Sequence, residues 1–514
     1  MADPHNLAVL AERGQARRGD HDALLFEGQT FRAAGLAERA RRAAGGLAEL
    51  GVGPGDRVVV LMANCPEVMI TYNAIWRAGA VVTPVVFLVT PIELHHILVD
   101  SGAVIVVTTG ELLDTVLSAA KDAPALGHVV VAGVQPSPEK HPAAPIIAFA
   151  DLEAAEQRGV VERGGHQLAA LMYTGGTTGR AKGVALSHDN LWSCGKSAWD
   201  TANVPGLTRT IVPLPLSHAY GMIVTVAGMH SAEPGFTIIQ RWFNAGEWMA
   251  LSERWRPERS VLVPAMVQML LAEALEDADL SSLRYVGCGA APLSVDVLRE
   301  FERRIPSLEV LEGYGCTETA AVISSNPPGR RRVGSVGLPI AGCSVRVLGE
   351  GDAPLPQGED GEICVRSPFV MTGYWNADRE TAEVLRGGWL HTGDIGHLDS
   401  DGYLYVVDRK KDLILRGGFN VFPRDVEDVL LAHPDVSMAG VVGRPDPRLG
   451  EEVVAFVSLR AGATVDASQL IAYARTQLAA TKCPREIVLV ESIPLTSVGK
   501  LDRKALRRLI AAER

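Results

Sequence analysis

The chain lacks any apolar run long enough to cross a bilayer, because charged residues interrupt each run short of the roughly 20 that a spanning helix needs. Its opening stretch, MADPHNLAVLAERGQARRGD, has no apolar core of signal-peptide length, so a cytoplasmic protein is expected. Cysteine is sparse. The seven residues, Cys65, Cys194, Cys288, Cys316, Cys343, Cys364 and Cys483, stand far apart with no CxxC pair. That distribution fits neither a disulfide framework nor the usual zinc pattern, and reads as small buried hydrophobes in a reducing compartment. The adjacent His95 and His96 also lack metal-ligand spacing and read as packed or solvated side chains. A basic excess is missing too. With 49 Lys and Arg against 60 Asp and Glu, the net charge of −11 argues against a nucleic-acid surface.

What remains is a soluble globular composition, 47% hydrophobic and 21% charged, over 514 residues, too long for one ordinary core. Short β-branched runs such as DRVVVLMAN, GAVVTPVVF and AVIVVTTG alternate with helical spacing in CPEVMITYNAIWRAG, and the alternation continues through TRTIVPLPL, AGEWMALSERW, RSVLVPAM and SLRYVGCGAA. The fold class expected is α/β: a large N-terminal assembly of layered sheets and helices, residues 1–410. From about Gly361 short strands and turns predict antiparallel sheet. A small α+β domain is placed at 411–514, with helices at PRDVEDVLLAHP and ASQLIAYARTQLA and strands at VSMAGVVGR, EVVAFVSLR and REIVLVES.

One loop carries chemistry on its face. LAALMYT reads as a buried strand, and Ser187, Asp189 and Asn190 offer caps for the helix that follows, so GGTTGRAKG lies between strand and helix. Glycine lets backbone N–H groups approach an anion, threonine hydroxyls add donors and lysine adds charge, so phosphate is the leading ligand. It is not a P-loop, which requires adjacent Gly and Lys; here Lys182 follows Gly179 by three.

Together with EGYGCTET at 312–319, WLHTGDIG at 389–396, YLYVVDRKKDLILRGGFNVFPRDVE at 403–427 and PLTSVGKLDRKAL at 494–506, this loop closely resembles the acyl- and aryl-CoA synthetases of the adenylate-forming superfamily. The resemblance runs nearly end to end. It implies that ATP and a carboxylic acid give an acyl-adenylate and pyrophosphate, after which the CoA thiol displaces AMP, with Mg2+ as cofactor. Residue by residue, it implies that Thr174, Gly176, Thr177, Thr178, Gly179 and Lys182 surround the β- and γ-phosphates. Gly289 and Ala290 lie beside the adenine, and in the motif that begins at Gly313, Tyr314 stacks on it. Thr317 meets the α-phosphate and Glu318 ligates magnesium. Asp394 accepts the ribose hydroxyls, Arg409 adds a second contact, and Lys500 is the catalytic lysine between carboxylate and α-phosphate. Lys411 is implied as the hinge, and the loop at Gly417 and Gly418 as part of the CoA tunnel.

The acyl pocket is implied at His218, Tyr220, Gly289, Gly315 and Cys316, and its glycines are read as volume for a bulky or long apolar acid. Gly175, Ala181 and Thr481 depart from the family's usual serine, proline and tyrosine. Three alternatives stay open at this point: thioesterification of a preformed adenylate, supplied by a separate adenylating enzyme; loading of a free acyl carrier protein; or a non-catalytic nucleotide-binding relative. No fused carrier domain is expected, and the assembly is read as monomer or homodimer.

Overall fold

The computed structural model describes residues 3–133, 144–174, 180–495 and 501–512. Two compact units divide the chain. The first comprises Met1–Leu293, Val297–Ser344 and Val365–Leu390; the second is mainly Val345–Cys364 and His391–Arg514.

In the first unit an eight-stranded sheet has parallel central strands at Arg57–Leu61, Val81–Pro84, Ile105–Thr109 and His128–Ala132. Alternate residues point to opposite faces. Val58, Val60, Ile105 and Val107 join the main core, while Val59, Leu61, Val106 and Val129 pack beneath Leu94, Ile97, Leu98 and Val116 from two helices. Burial on both faces explains why these strands read as unbroken apolar runs. Helices make the crossovers. Pro66–Arg77 joins two neighbouring parallel strands, and Pro91–Ser101 crosses from Val81–Pro84 over Arg57–Leu61 to Ile105–Thr109; this second helix is started by a reciprocal Thr90–Glu93 capping box and stopped by left-handed Gly102.

The unit's second sheet has nine strands, and six of them run parallel: Asp22–Phe26, Phe236–Ile239, Arg209–Val212, Arg259–Leu262, Tyr285–Cys288 and Glu309–Tyr314. The second unit follows the same logic on a smaller scale. Its five-stranded sheet is built on Val436–Asp446 and Gly450–Leu459. Val453, Ala455 and Val457 face Leu430 and Leu470 of helices Pro423–Leu431 and Ala467–Gln477, while Val454 and Phe456 face Leu506 and Ile510 of helix Arg503–Ala512. Antiparallel sheet appears as expected at Trp389–Leu398 and Leu404–Arg409. Among the described residues no helix is long and apolar enough to cross a membrane. All seven cysteines are free, five buried and Cys316 and Cys343 half-buried.

The helix His188–Ala202 is capped by Ser187, and Asn190 closes the box. Asp189, expected as a third capping residue, instead lies 2.6 Å from the His5 ring, which stacks on Trp192. His188 is fully buried and its Nδ1 accepts the Leu7 N–H at 3.2 Å, tying the N-terminal helix down. Burial, then Arg163, pushes this imidazole down to about 4, and burial does the same to His230. A depressed histidine leaves the fold fully stable above the unfolded value near 6.5, and stability is lost as pH falls from there toward 4. His188 alone accounts for about 3 kcal/mol of that loss. Chemical unfolding at pH 7.5, 6 and 5 should show the decline, and His188→Asn, which keeps an acceptor for Leu7, should flatten it; equal slopes in both proteins would contradict the assignment.

Candidate active site

The strands Arg209–Val212, Arg259–Leu262, Tyr285–Cys288 and Glu309–Tyr314 are parallel neighbours, so their carboxyl ends share one edge. In open α/β sheets that edge is where ligands bind. Beyond the first strand, His218 caps helix Ala219–Met229, its Nδ1 accepting the Tyr220 N–H at 3.3 Å. The half-buried Tyr220 ring lies over the third strand. A Cβ on Gly287 would stand 3.0 Å from the Tyr220 hydroxyl, and one on Gly289 would stand 3.0 Å from the Gly313 carbonyl and 3.9 Å from the Tyr220 ring.

The fourth strand ends at Tyr314 and turns sharply. A Cβ on Gly315 would lie 1.9 Å from the Ala321 carbonyl oxygen, so only glycine fits there. Thr317–Thr319 form a single 3-10 turn closed locally: Thr319 Oγ1 donates to the Cys316 carbonyl at 3.0 Å, and the same carbonyl accepts Ala321 N–H at 3.0 Å. Ala320 and Ala321 then take φ of 53° and 107°, and Ala290 in the neighbouring loop takes 70°. Non-glycine residues rarely adopt such angles, and they gather where a site over-determines the backbone. These glycines therefore serve close backbone packing. An added Cβ would meet backbone carbonyls at both Gly289 and Gly315, and the Tyr220 ring at Gly289.

Glu318 is held by a residue the sequence reading missed. Tyr374 donates its hydroxyl to Glu318 Oε1 at 2.8 Å, and its ring lies under Lys182 Nζ at 5.3 Å. Thr174 and Lys182 face each other as the last register pair of the hairpin Leu168–Thr174 and Lys182–Ser187. The loop residues between them at 175–179, including Gly176, Thr177, Thr178 and Gly179, lie outside the described residues, as does Lys500. His96, read as a packed side chain, donates from Nε2 to the Ala181 carbonyl at 2.9 Å and so anchors the arm of that hairpin.

In the second unit, Asp394 is 5% exposed and pairs in register with Arg409, whose Nε lies 3.1 Å from Asp394 Oδ1. Beside it Glu362, Cys364 and His391 bring three metal-type donors together, the one such group among the described residues. Lys410 Nζ already sits 2.9 Å from Glu362 Oε2 and the Gly393 N–H meets Oε1. Burial pushes Glu362 up, but Lys410 outweighs it and holds the carboxyl below its ordinary range. An ammonium is thus already paired with the carboxylate of this group.

Lys411 stands between two anchored carboxylates. Asp408 accepts the Arg424 N–H at 2.9 Å, and Asp412 meets Arg507 at 2.8 Å. Glu427 is gripped by Arg503 at 2.8 and 2.7 Å, although burial pushes its carboxyl up to about 7. Gly417 and Gly418, with φ of 59° and 84°, form the two-residue turn between Ile414–Arg416 and Phe419–Val421, as a tight hairpin of matching twist requires.

A carboxyl edge of parallel strands, with Glu318 and Lys182 both meeting Tyr374, is an α/β arrangement suited to handling phosphates. Residues 11–375 match the family described as AMP-binding enzyme, and residues 425–500 match the AMP-binding enzyme C-terminal domain. The chain belongs to that family. It is 37% identical over 501 residues to a feruloyl-CoA synthase of Amycolatopsis sp, covering 96% of this chain and 97% of that one. It is 33% identical over 520 residues to a long-chain-fatty-acid–CoA ligase of Bacillus subtilis (strain 168), covering 96% and 92%. The crystal structure of the anthranilate CoA ligase AuaEII in complex with anthranoyl-AMP superimposes with a TM-score of 0.90 at 26% identity, over 99% of this chain and 98% of that one.

The packing at Gly315 makes a direct prediction. Gly315→Ala drives a methyl into a backbone carbonyl and should cost at least about 1–3 kcal/mol, read as a lowered chemical unfolding midpoint. Gly228→Ala, in an exposed helical position with nothing within 4 Å, should be neutral or slightly stabilising. Equal midpoints for the two variants would refute the close approach.

Proposed function

We propose that the chain activates a bulky aryl or long-chain apolar carboxylic acid with ATP and transfers the acyl group to CoA. It is an AMP-forming acid–thiol ligase that uses ATP, Mg2+ and CoA. The observation that carries the site assignment is the convergence of Tyr314, Thr317, Glu318 and, through Tyr374, Lys182 within one unit. The acid class rests on relatives named for ferulate and long-chain fatty acids.

Both steps bring anions together, so the protein's task is to offset charge and hold the line of attack. Tyr314 offers its ring to the adenine, with Gly313, Gly289 and Ala290 beside it. Thr317 donates to the α-phosphate, and Lys182 with Thr174, Gly176, Thr177, Thr178 and Gly179 neutralises the departing pyrophosphate. Asp394 accepts the ribose hydroxyls and Arg409 orients that carboxylate. Lys500 offsets charge as the carboxylate oxygen bonds to the α-phosphorus and the bond to pyrophosphate breaks. His218, Tyr220, Gly315 and Cys316 border the acyl group.

Glu318 fits a hard cation: one carboxylate oxygen accepts a neutral hydroxyl, no cation neutralises it among the described residues, and an oxygen remains for a ligand. When bound there, magnesium supplies positive charge against the phosphates. The small domain begins at about Lys411, the hinge, with Asp408 and Asp412 fixed on either side, and Gly417 and Gly418 shape the loop beside CoA. A cytoplasmic location is part of this reading, and the free cysteines support a reducing compartment.

Carboxylate-dependent exchange of pyrophosphate into ATP across hydroxycinnamic, benzoic, terpenoid and long-chain fatty acids tests this. Exchange with at least one bulky acid should exceed that with acetate by about 100-fold, about 3 kcal/mol of apolar burial. Glu318→Gln and Lys500→Ala should each lower it about 10²–10³-fold. Exchange independent of any acid, or unchanged in both variants, would overturn the proposal.

A further inference from the structure

Glu362 and Glu318 are two half-buried or buried carboxylates with opposite neighbours. Glu362 is paired with Lys410, whereas Glu318 accepts a hydrogen bond from a neutral phenol. A hydroxyl in that place orients a carboxylate without competing with a cation for it. The same Tyr374 ring supports the Lys182 ammonium through its π face.

The residue is itself firmly placed. Gly373 and Tyr374 pair antiparallel with Ala185 and Val184. Trp375 N–H donates to the Gly183 carbonyl at 2.7 Å, Tyr374 N–H to Thr381 Oγ1 at 2.8 Å, and Met371 N–H to the Glu318 carbonyl at 2.8 Å. A Cβ on Gly183 would come within 3.2 Å of the Trp375 Cβ, so glycine there permits the approach. Residues 371–375 are thus stitched both to the strand carrying Lys182 and to the turn carrying Glu318.

We propose that Tyr374 is a positioning residue for the reaction: its hydroxyl sets the Glu318 carboxylate for the divalent cation, and its ring sets Lys182 for the phosphates. This rests on the reading of Glu318 as the metal ligand given above. The two contacts are separable by substitution. Tyr374→Phe keeps the ring and loses the hydroxyl; Tyr374→Leu loses both.

The test is Mn2+ binding to the full chain with α,β-methylene-ATP, followed by electron paramagnetic resonance, together with binding of the same nucleotide in EDTA. Tyr374→Phe should weaken Mn2+ half-saturation about tenfold, as loss of a hydrogen bond to a metal ligand typically does, with metal-free nucleotide affinity unchanged. Tyr374→Leu should weaken both. Glu318→Gln is the control that separates the two claims. If it leaves Mn2+ binding unaltered, the reading of Glu318 fails. If it weakens Mn2+ binding while Tyr374→Phe stays within about twofold of wild type, the positioning role of Tyr374 is overturned. Tyr374→Phe preserves the shape of the side chain, so the test stands even if the leucine variant folds poorly.

Discussion

The carbonyl of Ala321 occupies the place where a side chain at Gly315 would be, and much of the site depends on that contact. It forces the chain leaving the parallel strand Glu309–Tyr314 to fold back at once, which puts Thr317–Thr319 into a one-turn helix and Ala320 and Ala321 into left-handed angles. A turn so constrained holds Glu318 at the carboxyl edge without needing an ion pair. Its carboxylate meets the Tyr374 hydroxyl through one oxygen and leaves the other for a ligand. Rigid presentation matters here because misplacing a reacting or ligating group by about 1 Å costs on the order of 10²-fold in rate.

Charge in the second unit is handled in the opposite way, by pairing. Asp394 has Arg409, Glu362 has Lys410, Glu427 has Arg503 and Asp412 has Arg507. These carboxylates lie at 5–8% exposure, where an unpaired charge would be costly. The pairs surround Lys411 and pin the segment on both sides of it. A segment fixed before and after one residue concentrates any rotation at that residue, which suits the hinge proposed there.

The layered α/β fold was legible because doubly buried strands read as continuous β-branched runs and their crossover helices carry ordinary caps. Gly417 and Gly418 were legible for a similar local reason: two successive glycines between apolar residues suit a two-residue hairpin. Tyr374 was not legible, since its partners Glu318 and Lys182 lie 56 and 192 positions away and nothing around it repeats. Glu362 and Cys364 left a partial signal, being two apart on one strand and so on one face, but His391 arrives from another strand. Gly315 was seen without its packing role, because small residues in a sequence show only that a side chain is missing, and the Ala321 carbonyl that approaches is visible only in the fold. Asp189 failed as a cap because Ser187 sits one position earlier than the helix and already meets the Asn190 N–H.

The central claim is that a carboxylate oxygen of the acid bonds to the α-phosphorus of ATP at this site. Its most direct test is isotopic. An acid that supports exchange, labelled with 18O in both carboxylate oxygens, is turned over with ATP, Mg2+ and CoA, and the nucleotide and phosphate products are weighed by mass spectrometry. The account predicts AMP carrying one 18O atom per acyl-CoA formed, with none in pyrophosphate. Unlabelled AMP, or label in orthophosphate with ADP as the nucleotide product, would contradict it.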